Sequence, residues 1–335
     1  MSNHESIRKL WFVMSLFTAF AFLFIIPSTA ISISNNSNFG TTNLAYGQSD
    51  QMNSNITNSL NIQNMPVKKV HVGDIDIAYK MLGTGKPLLL IAGAGATMDA
   101  WDPIVLKQLS TNHTVIIFDN RGIGQTSAGT IKSFSISQYA NDTAGLLDAL
   151  QIGSPVDVLG HSLGSFIAQE LTMMHPDKVN KLILFASNCG GKDAIPGTPE
   201  VNVDFAKLAN PNLTPADQAP IIADLMFPHD WKKDHPNYLS YLPPPKEPIS
   251  PKTVVLQGQA VANWKGSCSR LGNISKPTLV IVGTEDAVTP PANSIILTQK
   301  IPGAWLVQIN GGGHGLMYQF PEQFSNVLLT FLNTA

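Results

Sequence analysis

Three stretches of the chain carry side chains that could act together on an electrophilic carbonyl. "VDVLGHSLGSFIAQEL" holds Ser162 between Gly160 and Gly164, "TLVIVGTEDAVTPP" holds Asp286, and "AWLVQINGGGHGLMYQ" holds His314. A serine hydroxyl needs a general base to take its proton, and an imidazole base needs a carboxylate to orient it. The three occur in the order serine, acid, histidine, as expected when each follows its own strand in one sheet. Glu285 competes for the acid role. Asp286 is preferred because Ala-Val-Thr-Pro-Pro follows it and would turn the chain back over the sheet. Gly-x-Ser-x-Gly alone is weak, arising by chance in about one chain of this length in ten. Its partners carry the inference.

The spacing of that motif has a steric reason. Where a strand turns directly into a helix, the residues two before and two after the serine pack against each other, so both must be small. The serine then takes a strained backbone conformation that lifts its hydroxyl clear of the sheet. One oxyanion donor follows from the same turn. The Leu163 N–H stands at a helix N-terminus, where backbone donors have no intrahelical partner.

The elements that must position these groups are legible as apolar runs. "PLLLIAG" (87–93), "TVIIFD" (114–119), "VDVLG" (156–160), "KLILFAS" (181–187), "TLVIVG" (278–283) and "AWLVQI" (304–309) suit parallel strands buried on both faces. "VKKVHVGDIDIAYKMLG" alternates around Gly73-Asp74 and predicts a hairpin. Helical spacing appears in 136–150, in the segment after Ser162, and around Phe324, Val327, Leu328 and Phe331. Strand and helix in alternation predict an α/β fold: a mostly parallel, doubly wound sheet with helices on both faces. The core occupies 66–187 and 276–335. Between them, 188–275 is too long for a connection and too rich in Pro, Trp and Tyr for a disordered loop. It reads as an inserted cap, with a helix over Thr253–Trp264.

Composition narrows the function classes. A net charge of −2 gives no reason to expect a nucleic-acid partner, and 44% hydrophobic against 13% charged residues implies a large buried core. The histidines lack ligand spacing, so no metal site is expected. No dinucleotide or P-loop signature is present and no cofactor is implied. At the N-terminus, Arg8 and Lys9 precede an uncharged run from Leu10 to Ile26. This predicts that residues 1–30 are a signal peptide, with a retained membrane anchor as the rival, and that the chain is exported. Residues 31–65, rich in Asn and Ser, read as a flexible linker. In an oxidising compartment, Cys189 and Cys268, near the entrance and exit of the cap, would form a disulfide pinning its ends.

With these residues in place, the chain resembles the α/β-hydrolase superfamily over 66–335, cap included. It is similar to the small serine-triad branch of esterases, enol-lactonases, carbon–carbon bond hydrolases and cofactor-free haloperoxidases. "FDNRGIGQTS" (118–127), "VGTEDAVTPPANS" and "GGGHGLMYQFPEQF" match that branch's turn, acid and histidine segments. The resemblance implies a second oxyanion donor after the first core strand. There the family's His-Gly-x-Gly is replaced by Ala92-Gly93-Ala94-Gly95, which gives the donating N–H to Ala94. Asp119 and Arg121 are expected to fix the Gly-rich turn. Relatives that hydrolyse epoxides or haloalkanes carry aspartate where this chain has Ser162, which argues against both activities. Trp264, Met317 and Tyr318 are candidates for the acyl pocket. The expectation is a serine hydrolase for a small ester or lactone. Carbon–carbon hydrolysis or perhydrolysis on the same residues, and a ligand-binding protein with negligible turnover, remain as alternatives.

Overall fold

Alternation within the strands decides which helices each face of the sheet receives. In a computed structural model of the protein, the structure describes residues 65–130, 132–244 and 250–334. The expected export segment and, apart from Met65, the Asn/Ser-rich linker lie outside them. Eight strands form one sheet: β1 (Lys68–Val72), β2 (Ile75–Leu82), β3 (Lys86–Ile91), β4 (His113–Phe118), β5 (Val156–His161), β6 (Val179–Phe185), β7 (Thr278–Gly283) and β8 (Trp305–Ile309). Their spatial order is β1-β2-β4-β3-β5-β6-β7-β8; β2 runs antiparallel to both neighbours and the other pairings are parallel. The expected hairpin is β1–β2, with Gly73 at φ +58° in its turn.

Ten helices of the described residues complete the fold. In the core they are α1 (Pro103–Leu109), α2 (Ile136–Ala149) and α3 (Leu163–Met174). The segment between β6 and β7 adds α4 (Pro199–Leu208), α5 (Pro215–Met226), α6 (His229–Asp234) and α7 (Pro251–Ala262). After β7 come α8 (Pro291–Lys300), α9 (Leu316–Gln319) and α10 (Pro321–Leu332). In β3, Leu89 and Ile91 pack with residues of α2, α3 and α8, whereas Leu88 and Leu90 pack with residues of α1 and α10. This is the period-two alternation of a strand buried on both faces. Each such side chain contributes on the order of 1.5–3 kcal/mol through burial.

The chain reverses direction across the sheet at β3, which lies between β4 and β5. Open parallel sheets leave a crevice beyond the carboxyl ends of their strands at such a point. The turns after β3 and β5 therefore face each other, and the cap lies across them. Cys189 and Cys268, 79 positions apart in sequence, form a disulfide with Cα atoms 5.0 Å apart. Among the described residues no helix is long and apolar enough to cross a membrane, and no cluster of His, Cys, Asp and Glu could hold a metal ion.

Candidate active site

Ser162 occupies the turn between β5 and α3 with φ +51° and ψ −120°, a conformation that side chains other than glycine rarely adopt. The strain is held by its surroundings. Ser162 N–H donates to Phe185 O at 3.0 Å, and its carbonyl accepts from Ser165 N–H at 2.8 Å and Ser165 Oγ at 2.5 Å. A Cβ on Gly160 would strike the Gly164 carbonyl, as expected. A Cβ on Gly164 would instead strike Ile91 O at the end of β3. The second glycine is thus required by the neighbouring strand, a contact the motif itself does not reveal. Gly93, after β3, makes a looser but still tight approach: a Cβ there would stand 3.3 Å from Ser162 Cβ. Ala94, the next residue, lines the same cavity as Ser162, and Leu163, the other expected donor, opens α3.

His314 follows β8 and is buried, its ring held by Asp286 after β7. Nδ1 lies 3.1 Å from Asp286 Oδ1 and 3.0 Å from Oδ2. The carboxylate is itself fixed by the N–H groups of Val288 and Thr289, at 2.9 and 2.8 Å, and by the Thr289 hydroxyl at 2.8 Å. With Nδ1–H donated to the carboxylate, Nε2 keeps its lone pair and can act as a base. Glu285, the competing acid, is exposed. The histidine loop is tied to the cap: Gly315 N–H donates to Met226 O at the end of α5, at 2.8 Å.

His161, inside the motif and given no role by sequence reasoning, turns out to be buried among these groups. Its ring stacks on Phe185 with centroids 4.5 Å apart, lies 5.0 Å from the His314 ring, and its Nε2–H donates to the His314 carbonyl at 3.2 Å. Burial, helped by the neighbouring His314, pushes its pKa down to about 3. It is therefore a neutral donor that orients the His314 loop. The signal was its position between a glycine and Ser162 at the end of a wholly buried strand.

Ser162, His161, His314 and Ala94 line one cavity of about 430 Å³. Its walls are mostly apolar, with Phe205, Leu208, Ile222 and Leu225 coming from α4 and α5 and Met317 and Tyr318 from α9. Tyr318 is fixed by a hydrogen bond from its hydroxyl to Ala100 O at 2.5 Å. One acidic group, Asp99, also lines the cavity, and buried Lys80 pairs with it at 2.6 Å. Among the described residues no Lys or Arg lines the walls.

Trp264 requires a correction. It does not line the cavity: its ring stacks on Phe166 at 5.1 Å, and its Nε1–H donates to Glu170 Oε1 at 2.7 Å. The chain leaving α7 runs beside α3 toward the disulfide, and Arg270 joins the same glutamate. This carries Trp264 away from the site. Asp119 and Arg121 are structural, as expected. Asp119 accepts from Met98 N–H at 2.7 Å and Gln125 N–H at 2.9 Å. Arg121 makes a two-point pair with Asp142, both contacts 2.7 Å, and reaches Asp74 at 2.8 Å.

The alpha/beta hydrolase fold family matches residues 86–321. The chain belongs to that family. Among its relatives, the RutD protein of Azorhizobium caulinodans, a proposed carbamate hydrolase, is 27% identical over 269 residues, covering 78% of this chain and 96% of that one. The BpoC protein of Mycobacterium tuberculosis, a proposed non-heme bromoperoxidase, is 29% identical over 276 residues, covering 77% and 97%. The enol-lactonase of Burkholderia xenovorans shares the fold, with a TM-score of 0.69 at 23% identity over 80% of this chain and 100% of that one.

Proposed function

We propose that the chain is a serine hydrolase for uncharged, apolar carboxylic esters or lactones. The observation that carries this reading is the strained Ser162 turn in the same cavity as His314, whose ring is gripped by Asp286. In the proposed reaction His314 Nε2 takes the Ser162 proton while Oγ attacks the carbonyl carbon. The N–H groups of Leu163 and Ala94 receive the developing oxyanion. The tetrahedral intermediate collapses, His314 gives the proton to the leaving alkoxide, and an acyl-enzyme remains on Ser162. Water, deprotonated by His314, then releases the acid.

The cavity supports the substrate class. Its volume suits a small ligand, its walls are apolar, and its one acidic side chain is paired with Lys80. An anionic acyl group would lose hydration there without gaining a cation. The test is a series of p-nitrophenyl esters from acetate to octanoate, with p-nitrophenyl succinate and the Ser162→Ala variant beside them. Turnover of the neutral esters at least tenfold above the succinate, abolished in the variant, supports the reading. Turnover that persists in the variant overturns it.

The likeness to BpoC favours a second reading, perhydrolysis, in which hydrogen peroxide replaces water in attacking the acyl-enzyme and releases a peracid. Bromide oxidation dependent on acetate and peroxide separates the two. We propose further that the chain is exported, which accords with the Cys189–Cys268 disulfide.

A further inference from the structure

Gln257 lies on α7, a cap helix, 162 positions along the chain from Gly95, yet its Oε1 accepts the Gly95 N–H at 2.8 Å. The side chain is 1% exposed and does not line the cavity. Gly95 has φ +71°, and the peptide joining it to Ala94 belongs to the loop that faces Ser162. Within this loop Ala96 N–H donates to Gly93 O at 3.3 Å. The loop is held at its start by Asn120 Nδ2 donating to Ala92 O at 3.2 Å, and at Gly95 by Gln257. α7 is itself fixed to the core, since Thr253 Oγ1, one turn before Gln257, donates to Gly122 O at 2.8 Å.

The other end of the same amide lies beside the buried Tyr139 hydroxyl, whose titration it influences. An apolar side chain of the same length at 257 would leave the Gly95 N–H without its acceptor, a cost to the folded state.

Resting on the serine-hydrolase reading, we propose that Gln257 is a positioning residue for the oxyanion hole: through Gly95 it sets the direction of the Ala94 N–H. The cap thereby acts on the chemical step as well as on substrate shape. A donor aimed at the oxyanion acts only in the transition state, so its misdirection lowers kcat and leaves KM nearly untouched.

The experiment compares wild type with Gln257→Met, Gln257→Asn, Gln257→Glu and Tyr139→Phe, on p-nitrophenyl butyrate and with a trifluoromethyl ketone inhibitor whose adduct carries the oxyanion. Met removes the acceptor and Asn shortens it beyond reach. Both are expected to lower kcat about tenfold or more with KM within about twofold, and to weaken the ketone by the same factor as kcat/KM. Glu keeps the acceptor and is expected to stay within about threefold of wild type, as is Tyr139→Phe, which leaves the Gly95 bond intact. A merely structural role would lower the melting temperature of the Met and Asn variants without this split. Equal kcat in wild type, Met and Asn variants, or equal loss in Met and Glu, overturns the proposal while the hydrolase reading stands. Failure of wild type to turn over the ester and bind the ketone overturns both.

Discussion

Asp286 grips His314 with both carboxylate oxygens, at 3.1 and 3.0 Å from Nδ1, while Thr289 and Val288 hold the carboxylate from behind. The pairing fixes the tautomer that leaves Nε2 as a base. In Asp286→Asn the amide nitrogen can instead donate to the ring, which favours the opposite tautomer. The expected result is a fall in kcat of about 10⁴-fold with KM little changed. A loss under about tenfold would show that the pair is structural.

Asp102 offers a titration with a calculable sign. Its carboxylate caps α1, accepting from Ile104 N–H at 2.8 Å and Val105 N–H at 3.1 Å, and burial pushes its pKa from 3.8 to about 6. The unfolded chain ionises this group first. Stability from Asp102 is therefore present below pH 4, lost as pH rises to about 6, and absent above. Asp102→Asn keeps the capping oxygen and removes the charge. Its stability relative to wild type should rise between pH 4 and pH 7 by on the order of 2–3 kcal/mol. Urea unfolding at both pH values measures this; a difference independent of pH contradicts it.

Arg121 ties the Gly-rich turn to α2 through Asp142, and both side chains are nearly inaccessible, at 1% and 6%. Removing one member leaves the other charged and buried. Arg121→Ala is expected to lose about 3–5 kcal/mol of stability, and Arg121→Lys a substantial part of it, since lysine lacks the two-point geometry. Unfolding within 1 kcal/mol of wild type would count against a buried pair.

The disulfide closes 79 positions of chain around the cap. By loop entropy its loss costs about 4.5 kcal/mol. Reduction, or Cys189→Ala with Cys268→Ala, should lower the unfolding midpoint accordingly. An unchanged midpoint in the double variant would mean that packing alone holds the cap.

Much of this architecture could be read from composition along the chain. The runs at 87–93 and 278–283 announce β3 and β7 because strands buried on both faces need no polar side. Ser162 and Asp286 stand out because each follows such a run, whereas His314 follows β8, an edge strand that is only partly buried although its apolar run predicts burial on both faces. What escaped was side-chain traffic between distant segments. Gln257 lies in the unremarkable helix "PKTVVLQGQAVA", and nothing local reveals that its amide reaches Gly95. Trp264 was misplaced for the same reason: its position at the end of a cap helix says nothing about which face of the core receives it. His161 was visible, but its role depends on a carbonyl 153 positions away.

The most direct measurement is intact-mass analysis of the protein after a fluorophosphonate probe, with peptide mapping of the adduct and Ser162→Ala as control. A strained serine whose proton is taken by His314 should become fully labelled at one site, Ser162, with no adduct in the variant and slow labelling in Asp286→Asn. Labelling elsewhere, or none at Ser162 in protein that turns over the ester, would contradict Ser162 as the nucleophile.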